Sequence, residues 1–225
     1  MSTVARGDGD EYVIDGTKQW ITNGERSGVV VVFARTDPED PGSVTQFLVP
    51  KDTDGLSVGD PEDKLGLRAS DTTSLTFDGA RIPAEYRLTE EGRGLSAALS
   101  ILTGGRIGIA AQSVGLAQAA LYEATAYADG GEQFDQRIGE FQSIRHKLAE
   151  MATTVQAGRL LTRDAAARDD RGADVRAAAS MAKYFSSEGT VEVTNEAVQI
   201  HGGHGYTTDF PGERFYRDAK VRTEI

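Results

Sequence analysis

Gln199-Ile200-His201-Gly202-Gly203-His204-Gly205-Tyr206, with Asp209, Arg214 and Asp218 beyond it, is the stretch of this chain best equipped for chemistry. Glycines behind a helix let backbone N–H groups approach a ligand with no Cβ in the way, so a phosphate could be met there. The same glycines suit a Schellman-type helix stop, and residue type alone does not separate the two. His201 and His204 stand three apart, a spacing that on a helix would put two metal ligands on one face. They fall in a glycine turn with no third ligand at suitable spacing, so no metal site is expected. Asp209 and Glu213, in a segment containing Pro211, read as surface charges rather than a catalytic carboxylate pair. Near the other end, Gly16-Thr17-Lys18-Gln19-Trp20-Ile21-Thr22-Asn23-Gly24 holds the single tryptophan, which taken alone reads as core packing.

Composition narrows the field. The chain has 225 residues, 39% of them hydrophobic, enough for one large domain or two small ones. There is no cysteine, hence no disulfide, thiolate nucleophile or Cys-ligated metal, and redox work would need a borrowed cofactor. A net charge of −11 disfavours nucleic acid and anionic lipid. No run approaches the roughly 18 consecutive apolar residues of a membrane-spanning helix, and Met1–Asp10 lacks the apolar stretch of a signal peptide, so a cytoplasmic location is expected. With 18 arginines to 6 lysines and 19 aspartates to 16 glutamates, the balance fits a salt-adapted, GC-rich source. That hypothesis predicts greater stability in salt than in dilute buffer, and the opposite result would contradict it.

The elements that must position these residues divide in two. From Tyr12 to about Arg87, short apolar or alternating runs broken by turn residues read as β-structure. Asp15-Gly16 suits a tight hairpin between Tyr12-Val13-Ile14 and Gln19-Trp20-Ile21, followed by strands at 29–34, 45–49, 56–58 and 75–77. After Glu90-Glu91-Gly92-Arg93-Gly94 the texture turns helical. One helix is expected over 95–128, and a second over about 139–171 with an apolar stripe of Phe141, Ile144, Leu148, Met151 and Val155. A third is expected from an Asp174 N-cap to about Ile200, with Met181 and Phe185 facing inward. Three long helices make an incomplete bundle, which a fourth would ordinarily close.

The spaced pattern Gln-x-x-Gly-Gly-x-Gly-Tyr-x-x-Asp, followed by Arg214 and Asp218, resembles the second signature of the acyl-CoA dehydrogenases. The resemblance extends back through Gly16–Gly24, Lys64-Leu65-Gly66-Leu67-Arg68-Ala69-Ser70-Asp71-Thr72, Gly105-Arg106-Ile107-Gly108-Ile109-Ala110, and Phe141-Gln142-Ser143-Ile144 with Lys147-Leu148-Ala149. It implies an α+β fold: a small antiparallel β-barrel or sandwich (residues 1–92, flavin-contacting) and then an α-helical bundle (residues 93–225, incomplete), with the family's N-terminal helical domain absent.

It also implies bound FAD. Trp20 would pack beside the isoalloxazine, with Ile21 next to it and Thr22 hydrogen-bonding near flavin N5. Gln142, Gln199, Gly202 and Gly203 would meet the ribityl, pyrophosphate and adenine portions, Phe134 would join them at a subunit interface, and Arg106 would meet the CoA moiety. The implied reaction is α,β-dehydrogenation of an acyl-CoA to its trans-2-enoyl-CoA in fatty-acid β-oxidation. An electron-transferring flavoprotein would be the acceptor and a homotetramer the assembly.

Several positions depart from the family. Most members supply the proton-abstracting glutamate from a Tyr-Glu-Gly-Thr motif that would fall just past Ile225. A minority place it immediately before the arginine matched by Arg106, where this chain has Gly105. Glu224 matches an ordinary residue, so no catalytic residue is assigned and the 225-residue chain alone is expected to be inactive. Gly131 stands where many members carry an FAD-binding arginine, Asp135 where they carry glycine, and Thr103 where they carry aspartate. The alternatives are a non-catalytic FAD- or CoA-binding or oligomerisation module, or an acyl-CoA oxidase. Acyl chain length is not legible.

Overall fold

A two-residue turn at Gly9-Asp10, where Gly9 takes φ +66°, folds strand β1 (Val4–Asp8) back on β2 (Glu11–Thr22) in this computed structural model, which describes residues 2–224. The sequence placed that hairpin at Asp15-Gly16 instead. β2 runs straight through those residues, and the register slips between Ile14 and Gly16. Gly16 has φ +131°, and a Cβ there would lie 2.8 Å from Thr3 Cα, so this glycine serves a close backbone approach rather than a turn, while the bulged residues are Asp78 and Gly79 of β6, opposite Asp15.

Strands β3 (Val29–Arg35), β4 (Val44–Pro50), β5 (Leu56–Val58) and β6 (Thr72–Pro83) complete one six-stranded sheet in the order β4-β3-β1-β2-β6-β5. All pairings are antiparallel except β1 with β3, which meet in parallel at Val4 and Arg35. The α+β class holds, while the expected antiparallel barrel or sandwich is replaced by a mixed sheet ending at β4 and β5. Past that single β1–β3 register the ammonium of Lys18 on β2 donates to the Phe33 carbonyl on β3. Alternation buries Ile14, Val32, Ala34, Phe47, Val49, Leu75, Phe77 and Ile82 in one core, where Tyr12 and Phe47 rings pack at 4.8 Å. These strands belong to a unit of residues 1–64 and 68–101.

The second unit comprises residues 65–67 and 102–225. Its helices are α1 (Gly94–Gly130, whose first eight residues belong to the first unit), α2 (Gln142–Asp169), α3 (Arg176–His201), α4 (Gly212–Ala219) and α5 (Val221–Glu224). A short hairpin, β7 (Glu132–Gln133) and β8 (Gln136–Arg137), links α1 to α2. Small residues make the core: Ala117, Ala120, Ala124 and Ala128 of α1 pack with Met151 and Val155 of α2 and Val193 and Ala197 of α3. The Thr190 hydroxyl donates to the Ser113 carbonyl across the α1–α3 contact at 2.9 Å.

This packing corrects the expected inner face of α3. Met181 and Phe185 are exposed, and Ala179, Ala182, Ser186, Gly189 and Thr190 face inward, because a narrow contact admits only small side chains. The α3 N-cap is Val175 rather than Asp174; the Asp174 carboxylate accepts the Arg176 N–H and pairs with its guanidinium, which holds its pKa down to about 2. By length and composition α1 could cross a membrane, with a mean hydropathy of 1.3 over its best window, a test that helices of soluble bundles also pass.

Candidate functional site

In the first unit, β2 carries two residues, Gln19 and Trp20, opposite the single Ser74 of β6, since Lys18 pairs with Leu75 and Ile21 with Thr73. A bulge of this kind bends the strand and re-aims a side chain. Here it turns Trp20 outward, 69% exposed, and puts its backbone at φ +61°. A large side chain in that left-handed region costs about 1–2 kcal/mol, so the fold carries strain to present an indole to solvent. Ile21 packs back onto the sheet core and Thr22 is exposed at the strand end.

The turn after Thr22 is clamped by Asp71, the residue just before β6. Asn23, at φ +58°, donates its N–H to the Asp71 carbonyl, and Glu25 donates its N–H to Asp71 Oδ2 at 2.8 Å. The Asp71 side chain is only 6% exposed and Arg26 Nε lies 3.7 Å from Oδ1, close enough for ion pairing but too far for a hydrogen bond. A Cβ at Gly24 would stand 2.2 Å from Thr73 Oγ1, so the turn closes tightly on the sheet. Sequence reasoning missed Asp71 because one buried aspartate cannot be told from the many turn aspartates around it. Burial also depresses Lys18, beside this bulge, to about 8.

In the second unit, α3 delivers Gln199 exposed and buries Ile200 and His201. Gly202 ends the helix at φ +57°, ψ −130°, outside the αL region of a Schellman stop, with its N–H on the Gln199 carbonyl. That conformation is open in practice to glycine alone. Gly203 is different: its φ is not positive, and a Cβ there would meet no protein atom within 4 Å. The fold therefore does not require glycine at 203, whereas close approach of a ligand from outside would. Gly205 is held internally, since a Cβ would fall 2.3 Å from the Val198 carbonyl oxygen.

Phe134 and Gln142 form another patch. Phe134 and Asp135, both at positive φ (55° and 61°), make the two-residue turn of the β7–β8 hairpin. Phe134 is 87% exposed and leans edge-on against Phe141, the residue before Gln142 at the start of α2. Asp135, at φ +61°, tolerates the left-handed conformation that the turn demands. Gly131 leaves little room for a larger residue: a Cβ would lie 3.0 Å from the Tyr127 carbonyl oxygen. Arg106 is half-buried on α1 and makes no hydrogen bond or ion pair among the described residues.

The segment Leu65–Leu67 is pinned to α4. The Arg217 guanidinium donates to the Leu65 carbonyl at 3.0 Å, and Leu67 N–H donates to Asp218 Oδ1 at 2.7 Å. A Cβ on Gly66 would be 2.4 Å from the Arg217 carbonyl oxygen. Glu224 is a poor proton acceptor, because its hydrogen bond from Lys220 holds its carboxyl below the usual range.

Similarity to known proteins extends over both units. Residues 1–80 match the family described as acyl-CoA dehydrogenase, middle domain, and residues 92–225 match acyl-CoA dehydrogenase, C-terminal domain. The chain is 46% identical over 223 residues to the probable acyl-CoA dehydrogenase FadE25 of Mycobacterium tuberculosis, covering 98% of this chain and 57% of that protein. It is 45% identical over 225 residues to the mitochondrial short-chain specific acyl-CoA dehydrogenase of Rattus norvegicus, covering 100% of this chain and 54% of the relative. It thus spans about half the length of the curated relatives it matches. Among solved structures, butyryl-CoA dehydrogenase from Megasphaera elsdenii superposes with a TM-score of 0.95 at 40% identity, over 98% of this chain and 58% of that one. Acyl-CoA dehydrogenase from Geobacillus kaustophilus gives 0.97 at 35% identity, over 99% and 59%.

Proposed function

This chain belongs to the acyl-CoA dehydrogenase family, and we propose that the whole protein is an FAD-dependent enzyme oxidising an acyl-CoA thioester to its trans-2-enoyl-CoA. The observation that carries this reading is Trp20, held out on a bulge in a strained conformation that packing within the sheet does not call for. Gly203, a glycine without an internal reason, supports it from the second unit. Taken each in its own unit, Trp20 gives an exposed aromatic face of the kind a flavin ring system packs on, and Gly203 an open backbone of the kind a phosphate approaches.

FAD, when bound, supplies the hydride acceptor for the reaction. The chain's own residues bind and orient. Trp20 offers an apolar face, Ile21 anchors that face to the core, and Thr22 presents a hydroxyl at the strand end. Gln142 and Gln199 offer side-chain amides, Gly202 and Gly203 a backbone open to close approach, Phe134 adds an aromatic wall, and Arg106 supplies a cation for an anionic portion of CoA. We assign the α-proton base to no residue of this chain. In this reading residues 1–92 are the flavin-contacting β-domain and 93–225 the bundle domain. An electron-transferring flavoprotein is the acceptor, fatty-acid β-oxidation the setting and the cytoplasm the location. The exposed apolar residues Leu99 and Leu102 of α1 and Met181 and Tyr184 of α3 suit helix packing between subunits of a homotetramer.

The test is to strip flavin from the whole protein, restore FAD and add butyryl-CoA or octanoyl-CoA anaerobically. Saturable FAD uptake followed by bleaching of the flavin band is expected. Failure to take up FAD would overturn the proposal. Uptake without bleaching by either thioester would favour a non-catalytic flavin-binding module.

A further inference from the structure

The glycine turn has a fastening that the flavin contacts do not use. Tyr127, near the C-terminal end of α1, places its hydroxyl 2.8 Å from His204 Nδ1, the ring immediately after Gly203. In the tautomer protonated at Nε2, the hydroxyl donates and Nδ1 accepts. The Tyr127 ring also packs on His201, on the other side of the two glycines, with centroids 4.4 Å apart and planes at 31°. Phe210 completes the group, lying 5.4 Å from Tyr127, 5.3 Å from His201 and 5.5 Å from His204. His201 is 2% exposed, and its Nδ1–H donates to the Ala197 carbonyl at 2.7 Å, which fixes that ring on α3. On the far side, the Thr207 N–H and hydroxyl both donate to the His204 carbonyl.

Gly202 and Gly203 are thus an exposed, side-chain-free bridge between two rings, each held by Tyr127. A pair of glycines is conformationally loose when its ends are free, and ordering it would have to accompany ligand binding. Fixing both ends from a neighbouring helix removes much of that ordering before the ligand arrives. We infer that Tyr127 and His204 form a latch that pre-orders the Gly202–Gly203 turn for a dinucleotide phosphate, acting as positioning residues that do not touch the ligand themselves. This rests on the flavin reading above. It is an addition to it, because the hydrogen bond is made by side chains outside the proposed contact set.

The experiment measures FAD dissociation constants, by flavin fluorescence, for the whole protein and for variants separating ring from acceptor. Tyr127→Phe and His204→Phe keep aromatic packing and lose the hydrogen bond. His204→Asn loses the ring and keeps an acceptor near the Nδ1 position. Each Phe variant is expected to weaken FAD binding roughly three- to tenfold, the size of one neutral hydrogen bond. The double variant Tyr127→Phe/His204→Phe should be no weaker than either single one, and His204→Asn should recover at least part of the loss. Thermal midpoints are recorded on the same samples. Unchanged FAD affinity in Tyr127→Phe, with or without a lowered midpoint, would overturn the latch, as would additive losses in the double variant. If the unsubstituted protein takes up no FAD, it is the flavin reading that falls and the latch falls with it.

Discussion

Trp20 is the only tryptophan in the chain, and it occupies a backbone conformation that glycine adopts freely and tryptophan does not. Replacing it by glycine separates stability from function. Trp20→Gly is expected to raise the unfolding free energy by about 1 kcal/mol, by relieving left-handed strain, while weakening FAD binding at least tenfold. Urea unfolding followed by far-UV circular dichroism, beside flavin titration, checks both signs; loss of stability together with affinity would mean that the indole is held for packing. Lys18 gives a pH prediction from the same strand. Burial lowers its pKa from the usual 10.5 to about 8, so between those values the folded state binds fewer protons than the unfolded one. The destabilisation from holding a buried ammonium is therefore full below about pH 8 and is relieved as pH rises toward 10.5. Relative to Lys18→Met, the unsubstituted chain should gain stability over that interval, and parallel pH profiles for the two would refute the assignment.

At the scale of elements, two features stand out for opposite reasons. The β2 bulge and the end of α3 keep special backbone geometry at proposed contact residues, while α1 carries Gly104 and Gly105 in mid-helix where a Cβ would meet nothing within 4 Å. Glycine inside a helix is less favourable than alanine by about 0.5–1 kcal/mol. The double variant Gly104→Ala/Gly105→Ala should therefore stabilise this chain by about 1–2 kcal/mol, read from the denaturation midpoint of the helical signal. Of the elements, the three long helices were legible from spacing, because 3.6-residue periodicity survives in the stripe from Ile144 to Val155. The inner face of α3 was not. Large apolar residues ordinarily mark a core, and here a Cβ at Gly189 would already stand 2.5 Å from Thr154 Cγ2, so this stretch of α3 buries alanine, serine and threonine instead.

At the scale of the molecule, the sheet core and the helical core share no residue. Trp20 reports on the first and helical circular dichroism mainly on the second. Phe47 is fully buried against Tyr12, and Phe47→Ala is expected to destabilise the sheet unit by about 3–5 kcal/mol. The tryptophan fluorescence transition should move to lower temperature by more than the helical transition, and equal shifts would show that the two cores melt as one. The sequence by itself determined the class of fold, the order of β-rich and helical parts and the family, because hydrophobic period and motif spacing are local properties of the chain. Tertiary structure alone decided that β2 runs straight through Asp15-Gly16 opposite a bulge at Asp78-Gly79, that Asp71 clamps the Trp20 turn from just before β6, and that Tyr127 reaches His204 across 77 positions. Those facts depend on which strands and helices lie side by side, and pairing over long sequence separations leaves no periodic trace to read.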